Sequence, residues 1–109
     1  MSATHILVVD DEPDIRGLVQ EILEDEGYRV GVAQSGEAAR SALRERRPDL
    51  ILLDIWMPDL DGITLLKEWA QDEGLPCPVI MMSGHGTVET AVEATRLGAY
   101  DFLEKPLSM

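Results

Sequence analysis

Acidic, hydroxyl and basic side chains stand at the points where short apolar runs end. Asp10 and Asp11 close the run beginning at His5, and Asp54 closes Leu50–Leu53. Ser83 closes Val79–Met82, and Lys105 follows Tyr100–Leu103. Three carboxylates gathered in one place repel one another, and their ionised state calls for a cation. Oxygen-only ligation with room for water suits Mg²⁺ better than Zn²⁺ or copper. A hydroxyl and an ammonium beside such an ion complete a set of groups for binding a phosphoryl group, with donors where charge develops. A carboxylate can itself be the nucleophile in phosphoryl transfer, forming an acyl phosphate. Asp54 lies centrally, between the first pair of acids and Ser83, and is assigned that role.

These residues meet only if the elements carrying them share one sheet edge. The apolar pattern changes period repeatedly along the chain. His5–Asp10 is a β-branched run that reads as a strand buried on both faces. Pro13 suits the first turn of a helix, and Ile15, Leu18, Val19, Ile22 and Leu23 form one apolar stripe. Gly27 ends that helix as a left-handed cap. Tyr28–Ala33 predicts a second strand. Ser35 caps a helix carrying Ala38, Ala39, Ala42 and Leu43, with Pro48 beyond its end. Asp49–Asp54 predicts a third strand, and Pro58 and Gly62 mark a loop before a helix with Leu65, Leu66 and Trp69. Pro78–Ser83 is a fourth strand. Val88, Ala91, Val92 and Thr95 give a fourth helix stopped by Gly98, and Tyr100–Leu103 is a short fifth strand.

Strict alternation of strand and helix predicts an α/β fold: a flavodoxin-like, doubly wound, parallel five-stranded sheet of order 2-1-3-4-5 with right-handed crossovers. Its ligand crevice lies where strand order reverses, between strands one and three, beyond their carboxyl ends. A fifth helix is expected after strand five, covering the face beside helix one. The chain ends at Met109, so residues 1–109 are read as one domain truncated before or within that last helix. The apolar sheet left bare would favour self-association.

Composition narrows the function classes. A net charge of −12 and 45% hydrophobic residues in 109 describe one globular domain that repels nucleic acid and anionic membrane. Neither is expected as a direct partner. Cys77 is the lone cysteine and cannot form an internal disulfide, which fits a reducing cytoplasmic setting. No run approaches the length of a membrane span or a signal sequence.

Asp10-Asp11, Asp54 within Leu-Leu-Asp-Ile-Trp-Met-Pro-Asp-Leu-Asp-Gly, Ser83-Gly84 and Lys105-Pro106 resemble, in this order, the response-regulator receiver family of two-component signalling. The resemblance implies that Asp11 and Asp54 bind Mg²⁺ directly, that the backbone carbonyl of Trp56 is the third protein ligand, and that Asp10 helps through water. It implies that Asp54 takes its phosphoryl group from a phosphohistidine on a sensor histidine kinase. Ser83 would bond one phosphoryl oxygen and Lys105 another. Pro106 would follow a cis peptide bond, a geometry tolerable before proline. Phe102 would be the switch aromatic, turning inward as Ser83 moves and altering the surface of helix four and strand five. Met82–Ala91 and Gly98–Pro106 are most similar to receivers of NtrC/NtrX-type transcription activators, which precede an AAA+ ATPase and a helix-turn-helix domain. Trp56 and His85 occupy positions that vary among receivers and would tune loss of the phosphoryl group by controlling water access. A second copy of the chain is a further candidate partner.

Blander readings exist for each residue. Asp10 and Asp11 could cap helix one, Ser83 could be a turn residue, Phe102 a core aromatic and Lys105 a solvated lysine. Their joint placement at matching strand ends favours the site. Asp59–Gly62 with Glu68 mimics part of a calcium loop, but Met57 stands at its first ligand position; Gly62 is read as a turn residue and Asp61 as a helix cap. Gly84-His85-Gly86 lacks the third glycine of a dinucleotide fingerprint, with Glu89 in its place. Two rivals remain: an aspartyl phosphatase of the haloacid-dehalogenase kind, disfavoured because Trp56 stands where a second acid is needed, and a pseudo-receiver that binds without being phosphorylated.

Overall fold

The computed structural model describes residues 4–57, 59–72, 74–83 and 88–104. Strands β1 (His5–Val9), β2 (Arg29–Ala33), β3 (Leu50–Asp54), β4 (Val79–Ser83) and β5 (Asp101–Glu104) alternate with helices α1 (Pro13–Asp25), α2 (Gly36–Glu45), α3 (Gly62–Asp72) and α4 (Val88–Arg96). The sheet is parallel throughout, in the order β2-β1-β3-β4-β5.

The period-2 alternation of each strand divides the core. Leu7, Val9, Ile51, Leu53, Val79 and Met81 point to one face, where they pack with Ala39 of α2, Leu65 and Leu66 of α3 and Ala94 of α4. Ile6, Val8, Leu52 and Met82 point to the other, where they pack with Val19 of α1. Strands buried on both faces carry near-continuous apolar runs, and these do.

Helix boundaries follow local chemistry. Pro13 opens α1. The α1 stop is a Schellman turn: Gly27 has φ +93°, its N–H donates to the Glu24 carbonyl, and the Tyr28 N–H donates to that of Leu23. Gly98, at φ +105°, ends α4 by the same pair of bonds, from Gly98 to Thr95 and from Ala99 to Ala94. Both satisfy carbonyls that a helix end leaves unpaired. The Ser35 hydroxyl accepts from Ala38 N–H at 3.1 Å, capping α2, and Asp61 accepts from Thr64 N–H at 2.8 Å, capping α3. Arg40 on α2 pairs with Glu68 on α3 at 2.7 Å, at the surface, where such a pair adds little stability.

Some expectations shift. Tyr28, Asp49, Pro78 and Tyr100 lie just outside their strands, each tied to a neighbouring segment by a backbone or side-chain bond. Leu18, expected in the apolar stripe of α1, is 53% exposed, and Val19 is the fully buried member of that stripe. The cause is packing: α1 is the one helix among the described residues that contributes to its face of the core, where Ile15, Val19 and Leu23 meet the sheet and Leu18 is left toward solvent.

Candidate functional site

At the carboxyl edge of the sheet, β1 and β3 lie side by side, with Val8 opposite Leu52 and Val9 opposite Leu53. The next residue on β1 is Asp10, whose N–H still donates to the Ala33 carbonyl of β2 at 3.0 Å. Asp54 ends β3 opposite Met82. Asp10 and Asp54 are both buried, at 0% and 2% exposure. Ligand oxygens of Asp10, Asp11, Glu12 and Asp54 all lie within 4.8 Å of one another.

The turn holding the first three acids has its own order. Asp10 Oδ1 accepts from Glu12 N–H at 2.9 Å, and Arg16 Nη1, from the first turns of α1, donates to the Asp10 carbonyl at 2.8 Å. Glu12 is the residue at the N-cap of α1, and its own side chain makes no capping bond. The Asp10 side chain satisfies Glu12, one residue short of the helix.

On the other wall, the chain after Asp54 is tightly constrained. Ile55 N–H donates to the Met82 carbonyl at 3.0 Å, and Gly62 N–H donates back to the Ile55 carbonyl at 2.6 Å. A Cβ on Gly62 would stand 2.2 Å from the Asp54 carbonyl oxygen. Glycine is required there because α3 begins in contact with the backbone of Asp54. Trp56, between them, is 53% exposed.

Ser83 is fully buried at the end of β4, opposite Glu104 of β5. Phe102 pairs with Met81 and is partly buried against the core on the α2–α4 face. Lys105, Pro106 and His85 lie outside the described residues. The structure thus brings together the three predicted acids and adds Glu12. Glu12 was legible only as a third consecutive acid, a signal that does not say which way a side chain turns. Arg16 likewise carried no signal, since its bond is to a backbone carbonyl.

Two ionised carboxylates about 5 Å apart repel by roughly 3 kcal/mol at an effective dielectric of about 20. Burial removes water that would otherwise screen Asp10 and Asp54. The donor set is all oxygen, anionic and partly open to solvent through Glu12, which fits a hard divalent cation such as Mg²⁺. The cleft of about 380 Å³ between α2 and α3, lined by Arg40, Leu43, Trp69 and Pro76 among others, shares none of these residues.

The sequence model described as Response regulator receiver domain matches residues 6–109. Nitrogen assimilation regulatory protein NtrX of Azorhizobium caulinodans is 53% identical over 108 residues, covering 97% of this chain and 24% of that protein. Regulatory protein AtoC of Escherichia coli is 40% identical over 105 residues, covering 96% of this chain and 23% of that protein. The chain thus spans about a quarter of the length of the curated relatives it matches. The crystal structure of the receiver domain of NtrX from Brucella abortus is 51% identical, with a TM-score of 0.86, over 94% of this chain and 87% of that one.

Proposed function

This chain belongs to the response-regulator receiver family, as a receiver of the NtrX/NtrC-like kind, and from that premise we propose that Asp54 is the residue that accepts the phosphoryl group. The observation that supports the assignment is the cluster of four acids beyond adjoining strand ends, in which Asp54 is buried and its backbone is backed closely by Gly62. Asp11 and Asp54 would hold Mg²⁺ with the Trp56 carbonyl, and Asp10 would act through water. When bound, the ion supplies charge that offsets the acids and polarises the phosphoryl oxygens.

The donor is a phosphohistidine on a sensor histidine kinase. An Asp54 carboxylate oxygen attacks phosphorus, the P–O bond forms as the P–N bond breaks, and the departing imidazole takes up a proton. The Ser83 hydroxyl would donate to one phosphoryl oxygen and the Lys105 ammonium would pair with another. Phe102 turns inward as Ser83 moves, and the α4–β5 surface changes. Water later cleaves the acyl phosphate, so this regulatory domain turns over nothing but its own phosphoryl group. In a parent protein of the NtrC/NtrX kind, the changed surface controls an AAA+ ATPase and a helix-turn-helix domain in the cytoplasm. No helix among the described residues is long and apolar enough to cross a membrane.

Incubation with a small-molecule acyl phosphate and Mg²⁺, read by intact mass, tests the assignment. One phosphoryl group should add to the wild type and none to Asp54→Asn. Equal labelling of the variant would refute it.

A further inference from the structure

The loop between β3 and α3 leaves Asp54 and carries Trp56, and it is anchored at a point the site chemistry does not use. Asp59 Oδ1 accepts from the backbone N–H of Gly36 at 3.1 Å, and its Oδ2 accepts from that of Glu37 at 3.2 Å. These are the first two amides of α2. The third, of Ala38, goes to the Ser35 hydroxyl. The α2 N-terminus is therefore capped from two places, locally by Ser35 and remotely by Asp59. Leu60 seals the same junction, since a Cβ on Gly36 would stand 2.9 Å from the Leu60 Cβ. At its other end the loop is held by the Gly62–Ile55 bond.

We infer that Asp59 is a positioning residue for the cation site: by fastening the β3–α3 loop to the first turn of α2, it holds the Trp56 carbonyl where the ion needs it. The inference rests on the proposed Mg²⁺ reading of the acid cluster, of which Asp59 is not a member. A carboxylate fits the task. It accepts two amide bonds at once, and its charge is favoured at a helix N-terminus. The Gly36 amide accordingly holds the Asp59 carboxyl below the usual aspartate range.

The test is Mg²⁺ titration, by calorimetry and tryptophan fluorescence, of the wild type, Asp59→Ala, Asp59→Asn and Ser35→Ala. Loss of a residue that orients a metal ligand typically weakens affinity by 10-fold or more, so Asp59→Ala should raise the Mg²⁺ Kd about 10-fold. Asp59→Asn keeps one acceptor oxygen but turns an amide donor toward the second N–H, so its Kd should fall between those of the wild type and Asp59→Ala. Ser35→Ala loosens the same helix without touching the loop and should leave Kd unchanged. An unshifted Asp59→Ala curve overturns the inference. So does Ser35→Ala matching Asp59→Ala, which would make helix stability the cause. Absence of saturable binding by the wild type instead sinks the reading of the acid cluster, and this inference with it.

Discussion

Replacing Gly62 by alanine probes how closely α3 approaches the backbone of Asp54. The added methyl would lie 2.2 Å from the Asp54 carbonyl oxygen and 3.0 Å from both the Asp54 carbonyl carbon and the Ile55 Cα. All three are backbone atoms, so no side chain can rotate away, and the strand end or the helix start must move. The 2.6 Å bond from Gly62 N–H to the Ile55 carbonyl opposes that movement. Overpacking of a tight site costs about 1–3 kcal/mol, and a rigid backbone partner puts Gly62→Ala near the upper end. Alanine recovers about 0.4–1 kcal/mol by restricting the unfolded chain. The net loss is about 2 kcal/mol, or a fall in Tm of roughly 8–16 °C for a domain of this size. Thermal and urea unfolding followed by circular dichroism measure it, and phosphodonor labelling of the variant should fall as well. Gly17→Ala is the control. Its Cβ meets nothing within 4 Å and it sits inside α1, so alanine should stabilise by about 0.5–1 kcal/mol. A Gly62→Ala protein with wild-type Tm and labelling would refute the close approach.

Removing one charge from the acid cluster should separate repulsion from cation binding. Asp11→Asn is expected to raise Tm in EDTA by the equivalent of roughly 1 kcal/mol, because one like charge is gone, and to abolish the rise in Tm that Mg²⁺ gives the wild type by mass action. A variant with wild-type Tm in EDTA and a full response to Mg²⁺ would contradict both expectations. Cys77 should be inert. Burial pushes its thiol up to about 11 from the ordinary 9.0, which lowers the thiolate fraction at pH 8 roughly 100-fold. Iodoacetamide should therefore modify the folded chain far more slowly than the chain in urea, with the folded rate still climbing above pH 9 where the unfolded rate levels off. Similar rates in the two states would disprove the buried setting.

Much of this molecule was legible along the chain because the relevant physics is local or periodic. Ser35 and Asp61 cap helices because an oxygen one bond from Cβ reaches an amide three residues on. Gly27 and Gly98 stop helices because only a residue tolerant of positive φ makes the turn. The alternation of short apolar runs with amphipathic stretches, joined to the handedness of parallel crossovers, was enough to order the five strands and so to bring Asp10 and Asp54 to one crevice. What only the tertiary structure decided are relations between segments distant in sequence: Asp59 reaching the amides of Gly36 and Glu37, α3 starting against the Asp54 backbone, Glu12 turning in to join the acids, and Leu18 left facing solvent. Each depends on a distance of a few ångströms set by how loops and helices settle on the sheet, and residue type and spacing do not encode such a distance until the pieces are packed.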